Sequence, residues 1–290
     1  MSSSLSSPYV EALQTFYNNV GKTYNDTTRS MHSGGPERIV EAAGSAVKEG
    51  SWVLDLATGT GKVGFVTASK VGNTGRVLGI DISDEFLGIA SEAAKRLGVS
   101  SYVEFVQGDV GKLALPDAYT TRCFDAVTCG SAIGMFPSVQ TVLDVIAKEL
   151  LKPGGIFVAD MYATHMPAKL FLDVAVPRGF QPPLDPKWLS DTETTFRNIF
   201  ADSKLDLKSI TLHVASQAKW DASTAEATEK LWTSIAFDQT WVSFGLDRLG
   251  AEVIEEIKQA WIKGLEDYKN SDGFVVAEMK QYIAVAVAQE

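Results

Sequence analysis

The feature that most constrains the fold is a regular alternation of short apolar runs with helical segments between residues 51 and 160. The apolar runs are rich in β-branched side chains and predict strands, whereas the stretches between them carry helical periodicity. Such alternation is typical of βαβ units with a mainly parallel sheet, whose right-handed crossovers gather the carboxyl ends of the strands at one edge. The predicted strands are 52–56, 77–81, 102–106, 124–129 and 156–159, and the predicted helices are 61–71, 84–97 and 139–151.

The segments on either side of this region have a different pattern. An N-terminal helix that begins near Tyr9 is expected to end at Gly21 and the polar run after it, and a second helix to begin at Pro36. Residues 165–190 are rich in proline and aromatic side chains and are interpreted as irregular. The remaining predictions are a helix over 193–203, a sixth strand over 210–214, helices over 223–268, and a final antiparallel strand over 281–287 at or near the sheet edge.

Composition and charge argue against several classes of function. The 290 residues carry a formal net charge of −10 without a cluster of lysine or arginine, so nucleic acid is not expected as a partner. No apolar stretch approaches the roughly 20 residues of a membrane span, and the first residues lack the pattern of a signal peptide. Cys123 and Cys129 form neither a disulfide framework nor a zinc motif. These features predict a cytoplasmic protein without a metal or a membrane-inserted segment, either a monomer or a homodimer.

A glycine-rich turn, Asp55-Leu56-Ala57-Thr58-Gly59-Thr60-Gly61, ends the first predicted strand. Glycine lets the backbone approach a ligand closely, and the helix that follows presents unpaired N–H groups at its N-terminus. In open α/β sheets, ligands bind outside the carboxyl ends of the strands, where the strand order reverses. A nucleoside-type ligand at this turn is therefore the first hypothesis.

Carboxylates at the ends of three strands indicate which kind of nucleoside-type ligand would bind. Asp55 would repel a diphosphate but would pair with a ligand ammonium, Asp81 can accept from ribose hydroxyls, and Asp109 can accept from an adenine amine. The segment 59–64 also matches the dinucleotide pattern G-x-G-x-x-G, which keeps an NAD(P)-dependent oxidoreductase as an alternative. Asp55 and the absence of a Tyr-x-x-x-Lys pair count against that alternative.

Taken in order, these motifs resemble those of class I S-adenosylmethionine-dependent methyltransferases. The matching segments lie across roughly residues 36 to 160 and are 53–61, 79–83, 106–110, 124–127 and 151–155. Each segment alone has little specificity, whereas five in the expected order and spacing are specific. The subgroup that looks most similar acts in ubiquinone and menaquinone biosynthesis. Fungal natural-product methyltransferases are also similar, with Tyr24-Asn25-Asp26 and Gly34-Gly35 ahead of the domain.

The resemblance implies how the two ends of the cofactor would be held. Its amino-acid end would lie against one carboxylate and the glycine-rich turn, namely Asp55, Ala57, Thr58, Gly59 and Gly61. Its ribose would be held by Asp81, with Ile82 packed on the adenine. The edge of the adenine would contact the turn after the third strand, Gly108, Asp109 and Val110.

The resemblance also implies which residues surround the reacting sulfur. Cys129 and Gly130, expected just past the fourth strand, would line the sulfonium. Tyr24, on the N-terminal segment, would place an aromatic ring near the cationic sulfur.

The fold class implied is α/β, with a doubly wound, seven-stranded, mostly parallel sheet of the Rossmann-like methyltransferase type and a helical, aromatic-rich lid. The expected divisions are an N-terminal helical lid over 1–35, a cofactor-binding core over 36–165, a substrate lid over 166–272 with one core strand near 206–219, and a final core strand over 273–290. The aromatic residues of the substrate lid would provide a dry pocket for displacement at a sulfonium.

Candidates for a general base are few. His165 lies a few residues beyond the fifth strand, on the edge where a substrate should bind, and is the first candidate. His32 in the N-terminal lid is the second, and Asp160 at the end of the fifth strand is a further acid facing the crevice. His213 lies within a predicted strand and is interpreted as structural.

The expected function is the transfer of a methyl group from S-adenosylmethionine to a small-molecule nucleophile, a secondary metabolite. Oxygen or sulfur is favoured as the acceptor atom, because no acidic cage for an amine is visible. A second possibility is an enzyme of the same fold that binds S-adenosylmethionine without methylating, such as a pericyclic catalyst. A protein or RNA methyltransferase is less compatible with the acidic charge and the aromatic lid.

Overall fold

The computed structural model describes residues 7–27, 34–113, 115–119, 122–163, 166–236 and 239–289. Seven strands form one sheet in the order β3-β2-β1-β4-β5-β7-β6. The strands are β1 (Trp52–Leu56), β2 (Arg76–Asp81), β3 (Val103–Gln107), β4 (Phe124–Cys129), β5 (Leu151–Ala163), β6 (Leu205–Asp221) and β7 (Phe274–Ala288). Strands β1 to β5 pair in parallel, β1 with β2 and β4, β2 with β3, and β4 with β5. The predicted seven-stranded, mostly parallel α/β sheet is confirmed.

Helices connect and flank these strands. They are α1 (Pro8–Thr27), α2 (Gly35–Ala42), α3 (Lys62–Val71), α4 (Asp84–Leu97), α5 (Val139–Val145), α6 (Met166–Ala175), α7 (Lys187–Ser190), α8 (Thr192–Ala201), α9 (Ala225–Ala236), α10 (Gln239–Ser243) and α11 (Ala251–Leu265). The side chain of Ser83 caps α4 by accepting from the Phe86 N–H, and Asp84 and Glu85 place negative charge in its first turn. Local sequence signals therefore account for the start of α4 directly after β2.

The chain divides into two compact units. Unit 1 contains the described residues up to Met161, the segment Glu193–His213 and the residues from Gln281 onwards, and unit 2 contains Tyr162–Thr192 and Val214–Lys280. In unit 1, side chains of β1 such as Val53, Leu54 and Leu56 are completely buried. Burial on both faces is expected for a central parallel strand and explains its continuous apolar sequence.

Unit 2 has an aromatic core of its own. Its largest members are Phe171, Phe180, Trp232, Trp241 and Trp261, none of which is more than 8% exposed. Phe171 is the hub, with ring centroids 5.8 Å from Phe180, 6.1 Å from Trp232 and 5.5 Å from Trp241. The indole N–H of Trp261 donates to the carbonyl of Pro167 at 3.0 Å, which satisfies its polar atom within the core. Most of the aromatic side chains that mark the predicted lid therefore pack against one another.

Helix α1 continues through Gly21 to Thr27, so the prediction that it ends at Gly21 is wrong. A β-carbon at Gly21 would clash with the Cγ atom of Glu85 on α4. The glycine is therefore a point of close approach between two helices, and the tertiary contact outweighs the weak helical propensity of the residue.

Three other predictions differ from the structure. Residues 166–175 form helix α6 although the segment was expected to be irregular, and the predicted helical stretch over 223–268 is interrupted near Gly245 and Gly250. Strand β5 begins at Leu151, which pairs with Phe124 before a register shift, whereas the strand was predicted to begin at residue 156. The apolar run that marks this strand in the sequence begins only after Gly155. The start of the strand was therefore predicted too far along the chain.

Candidate functional site

A pocket lies at the carboxyl ends of β1, β2 and β4, where the strand order reverses between β1 and β4. Its empty volume, counted out to the open mouth, is about 720 Å³. The wall is mainly apolar, with Asp81 and Asp109 as its acidic members. The lining residues that the structure describes belong to unit 1.

The turn after β1 forms the base of this pocket. The Thr58 N–H donates to the carbonyl of Ile80 at 3.0 Å, and the Gly61 N–H donates to the carbonyl of Thr58 at 3.0 Å. Gly61 has a φ of +84°, and a β-carbon there would lie 2.8 Å from Phe65 and 3.1 Å from Phe105. Only glycine fits this conformation and this space, so the second glycine of the motif is required for the turn itself.

Asp81 ends β2 and presents its carboxylate to the pocket while being only 5% exposed. Its Oδ2 accepts from the Gly59 N–H at 2.8 Å, and its Oδ1 accepts from the Ser83 N–H at 2.9 Å. Each carboxylate oxygen can accept a further hydrogen bond, which leaves capacity for ligand hydroxyls. Burial raises the pKa of Asp81, although the two backbone donors oppose the shift.

Asp55 lies next to this turn but is not part of the pocket wall. It is 1% exposed, and its two oxygens accept from the hydroxyls of Thr58 and Thr128 at 2.6 and 2.7 Å. Burial raises the pKa of Asp55 to about 6, and the two hydroxyl donors oppose that shift. Asp55 connects β1 to β4 and to the glycine turn, and its contact with the ligand stays a prediction.

The structure brings most of the predicted cofactor residues to one wall. Those that line the pocket are Tyr24, Ala57, Gly59, Asp81, Ile82, Asp109, Val110 and Gly130. The other predicted residues, Asp55, Thr58, Gly61, Gly108 and Cys129, lie outside the lining. His165 and His32, the histidines considered as bases, lie outside the described residues.

Cys129 requires a correction, because it is the last residue of β4 and not a residue beyond it. It lies opposite Leu56 in the β1–β4 ladder, and its side chain is completely buried. Burial raises the pKa of the Cys129 thiol well above its usual value. The thiol therefore faces the interior of the sheet, whereas the next residue, Gly130, reaches the pocket.

Sequence reasoning missed an aromatic cluster in the wall. Tyr17 of α1 and Phe86 of α4 join Tyr24, with ring centroids 5.5 Å apart for Tyr17–Phe86 and 4.9 Å apart for Tyr24–Phe86. The signal was present, since Val10, Leu13, Tyr17 and Tyr24 share one helical face once α1 is continued past Gly21. Such a cluster suits a cationic ligand, because the face of an aromatic ring attracts positive charge.

Polar contacts hold α1 across the ends of β1 and β2. The Gln14 side-chain amide donates to the carbonyl of Ile82 at 3.0 Å, and the Ser83 hydroxyl donates to the Asn18 side-chain oxygen at 2.6 Å. Near the other end of the helix, the Thr60 hydroxyl donates to Asn25 at 2.8 Å. The N-terminal helix is therefore attached to the same turns that form the pocket.

Two residues of the wall have backbone conformations that are unusual for a residue other than glycine. Ala57 and Ser131 have φ values of +51° and +56°, and both line the pocket. The left-handed region costs a residue other than glycine roughly 1–2 kcal/mol. Strain of this kind clusters at functional sites, where the surrounding contacts maintain it.

The lining fits a cationic adenosyl amino acid better than a dinucleotide. Two carboxylates and an aromatic cluster border the pocket, whereas no lysine or arginine is found in the lining given by the described residues. A diphosphate would need positive charge or a clear path to a helix N-terminus. A sulfonium with ribose hydroxyls instead matches the acceptors that are present.

The part of the chain that the structure describes lacks two further features. No group of histidine, cysteine, aspartate or glutamate there is arranged to hold a metal ion. Within the same ranges, no helix combines the length and the apolar character that crossing a bilayer requires.

Comparison with known proteins places the chain in a family. Residues 47–226, well over half of the chain, match the family model described as a methyltransferase domain, and the chain belongs to that family. The matched region contains the turn after β1 and the strand ends of the pocket wall, whereas Tyr17 and Tyr24 on α1 lie ahead of it.

Individual relatives agree with this assignment. The 2-phytyl-1,4-naphtoquinone methyltransferase of Synechococcus elongatus is 36% identical over 124 residues, 42% of this chain and 51% of that protein. The ubiquinone/menaquinone biosynthesis C-methyltransferase UbiE of Pseudomonas savastanoi pv. phaseolicola is 34% identical over 150 residues, 50% of this chain and 56% of that protein. The chain thus spans about half the length of these curated relatives.

A solved structure shows that the likeness extends to the fold. Haemonchus contortus phosphoethanolamine N-methyltransferase 2, in complex with S-adenosyl-L-methionine, superimposes on 88% of this chain and 52% of its own with a TM-score of 0.51. Its sequence identity is 17%, so the comparison concerns the fold alone.

Proposed function

We propose that this chain is an S-adenosylmethionine-dependent methyltransferase that acts on a small molecule. The observation that carries the proposal is the pocket at the strand switch point, whose wall combines Asp81, Asp109 and the aromatic cluster of Tyr17, Tyr24 and Phe86. Membership of the methyltransferase domain family supports it. The competing oxidoreductase has no comparable support, because the lining carries acids where a diphosphate would need positive charge.

The residues of the wall divide the task of holding this cofactor. Asp81 accepts from the ribose hydroxyls, and its bonds to the N–H groups of Gly59 and Ser83 fix the orientation of its carboxylate. Asp109 is oriented in the same way by accepting from the Gly111 N–H at 2.8 Å, and takes the adenine edge. When bound, S-adenosylmethionine supplies an activated methyl group on a positively charged sulfur. The chain's own contribution is to exclude water and to align the acceptor, which is worth ~7–11 kcal/mol when the geometry is good.

The acceptor that we propose is an electron-rich aromatic hydroxyl compound of the quinol type. The curated relatives are named for a naphthoquinone and for C-methylation, whereas the residues alone favoured oxygen or sulfur. A quinol offers both a ring carbon and a hydroxyl oxygen to the methyl group. A secondary-metabolite substrate and a cytoplasmic location remain predictions.

Isothermal titration of the full chain tests the cofactor assignment. The wild-type chain is expected to bind S-adenosylmethionine and not NADH. Asp81→Ala should weaken that binding at least tenfold, because the buried donors of Gly59 and Ser83 lose their acceptor together with the ribose contact. Asp202→Ala removes an exposed aspartate outside the pocket and serves as the matched control. Binding of NADH alone would overturn the proposal, and an unchanged affinity of Asp81→Ala would overturn the ribose assignment.

Turnover is followed in the same preparation with a methyl-labelled cofactor. The acceptors are a 2-alkyl-1,4-naphthoquinol kept reduced, the corresponding quinone, and a simple amine. Mass spectrometry is expected to find the label on the quinol and not on the amine. Labelling of the amine alone would contradict the proposed acceptor class while leaving the cofactor assignment intact.

A further inference from the structure

A buried carboxylate lies directly behind one polar residue of the pocket wall. Ser131 lines the pocket, and its backbone N–H donates to Oδ1 of Asp160 at 2.6 Å. The Ser131 hydroxyl lies 3.4 Å from each oxygen of the same carboxylate. Asp160 sits on β5 and is completely buried. The Ser131 hydroxyl therefore connects the pocket with an acid that the solvent does not reach.

The partners of Asp160 are fixed in their direction. Arg38 on α2 donates through Nε to Oε1 of Gln281 at 2.6 Å, and Gln281 donates through Nε2 to Oδ2 of Asp160 at 2.6 Å. A guanidinium has no acceptor, so the oxygen of Gln281 must face Arg38 and its NH₂ group must face Asp160. Asp160 is thus held by two donors that cannot reverse, the Ser131 N–H and the Gln281 amide.

Burial and the neighbouring groups bring the pKa of Asp160 close to neutral pH. Burial raises the pKa of Asp160 to about 6, while the bonds from Gln281 and Ser131 and the charge of Arg38 oppose the shift. Among the described residues, Asp160 contributes to the raised pKa values of Tyr24 and Cys129, and both groups remain neutral. Asp160 can therefore exist both as a carboxylate and as a neutral acid in the physiological range.

We propose that Asp160, acting through the hydroxyl of Ser131, receives the proton that the acceptor loses during methyl transfer; this rests on the proposed function. The X–H bond of the acceptor breaks and its proton passes to Ser131 Oγ, while the hydroxyl proton of Ser131 passes to Asp160. The electron pair left on X forms the bond to the methyl carbon, and the pair of the broken carbon–sulfur bond stays on sulfur. One positive and one negative charge disappear together, which is favourable where buried ions are costly.

The roles of the two residues differ. Ser131 contacts the acceptor, whereas Asp160 acts through Ser131 and is a positioning residue. Asp160 also maintains the left-handed backbone of Ser131 by accepting from its N–H. Ser131→Ala separates these contributions, because it removes the hydroxyl and keeps the backbone donor.

Proton release on ligand binding tests the link between Asp160 and the pocket without turnover. Isothermal titrations at pH 6 in buffers of different ionisation enthalpy measure how many protons are released when a ligand binds. The two ligands compared are S-adenosylmethionine and S-adenosylhomocysteine, which lacks the positive charge on sulfur. The cation should release more protons, up to about half a proton more for a group half-ionised at that pH. The difference should vanish in Asp160→Asn and persist in Asp55→Asn, the matched buried acid.

The outcomes separate the two proposals. Equal release by both ligands, or a difference that survives in Asp160→Asn, would overturn the role of Asp160. A wild-type chain that binds neither ligand would instead overturn the proposed function. If Asp160→Asn does not fold, Gln281→Met replaces it; loss of one donor should raise the pKa of Asp160 and move the release to higher pH.

Turnover of the naphthoquinol between pH 5 and 8 tests the Ser131 hydroxyl. The wild-type rate should fall as the pH drops through about 6, because Asp160 becomes protonated. Ser131→Ala should lower the rate by about 10² with cofactor affinity unchanged within about twofold, and should lose this pH-dependent limb. Ser138→Ala removes an exposed hydroxyl outside the pocket and should behave as wild type. If the rate of Ser131→Ala still falls as the pH drops through about 6, proton transfer through the Ser131 hydroxyl to Asp160 is excluded.

Discussion

Two buried aspartates of unit 1 have raised pKa values of about 6 and yet differ in how they tolerate neutral replacement. Two partners of Asp55 are the hydroxyls of Thr58 and Thr128, which can turn from donor to acceptor. The two closest partners of Asp160, the Ser131 N–H and the Gln281 amide, can only donate. An amide fits the first environment, whereas in the second its NH₂ group would face a donor.

Asp55→Asn should therefore flatten the dependence of stability on pH. Between about pH 4 and 6 the folded chain keeps a proton on Asp55 that the unfolded chain has released, so the free energy of unfolding falls as the pH rises. With a pKa of about 6, Asp55 accounts for a decrease of roughly 3 kcal/mol across this range. Urea unfolding from pH 4 to 7.5 measures it, and the variant should lose that part of the slope.

The control for this measurement is Asp202→Asn, which changes an exposed aspartate and should keep the wild-type slope. The remaining slope in Asp55→Asn is expected because Asp160 titrates in the same range. A variant with the full wild-type slope would show that Asp55 is ionised in the folded chain well below pH 6.

At the residue scale, the sequence could assign residues to the pocket where their position at a strand end decides it. Asp81 and Asp109 both line the pocket, because the carboxyl ends of parallel strands meet at one edge. Their contact with the cofactor stays a prediction. The contact between Arg38 and Gln281 spans 243 positions in the chain, and no local pattern reports it. The left-handed conformation of Ser131 was also beyond prediction, since it is maintained by a distant carboxylate.

At the scale of elements, several members of the alternating region have their predicted bounds, whereas β5 and α5 do not. Helix α4 was predicted with its observed bounds, and β1 and β4 likewise, because each has a strong apolar period and a clear terminus. Helix α1 was cut short because glycine has low helical propensity in isolation. Its continuation depends on the contact with α4, which local sequence does not encode.

Gly21→Val should displace α1 from α4 and weaken cofactor binding at least fivefold. The added side chain meets Glu85, and overpacking typically costs about 1–3 kcal/mol. Movement of α1 carries Tyr17 and Tyr24 away from the pocket. Titration with S-adenosylmethionine measures the affinity, and urea unfolding measures the stability.

Gly88→Val is the matched control, because it places the same side chain at a helical glycine of α4 that faces open space. It carries the same loss of helical propensity without the clash, so its cofactor affinity should equal that of the wild-type chain. Equal affinities of the two variants would show that the close approach at Gly21 does not hold α1 over the site.

At the scale of the whole molecule, the residues of the site and the aromatic core belong to different units. The pocket is lined by unit 1, and the cluster around Phe171, Trp232 and Trp261 belongs to unit 2. The loss of the strand–helix rhythm after Met161 led to the expectation of a substrate lid over 166–272, whereas unit 2 contains Tyr162–Thr192 and Val214–Lys280. A core strand near 206–219 and a final core strand over 273–290 were also expected. Unit 1 contains Glu193–His213 and the residues from Gln281 onwards, and contacts distant in sequence decide these bounds.

Trp232→Ala should lower the stability of unit 2 and leave cofactor binding unchanged. The indole is 2% exposed and lies 5.5 Å, between ring centroids, from Trp261. Truncating a buried tryptophan to alanine costs about 3–5 kcal/mol because it removes buried apolar surface and opens a cavity. Urea unfolding should show this loss, while titration of the folded variant should give the wild-type affinity for S-adenosylmethionine within about twofold. Val53→Ala removes part of the core of unit 1 beneath the turn after β1. It should lower both the free energy of unfolding and the affinity for S-adenosylmethionine. If Trp232→Ala weakens cofactor binding as much as Val53→Ala does, the site depends on unit 2 as well, and its assignment to unit 1 alone is wrong.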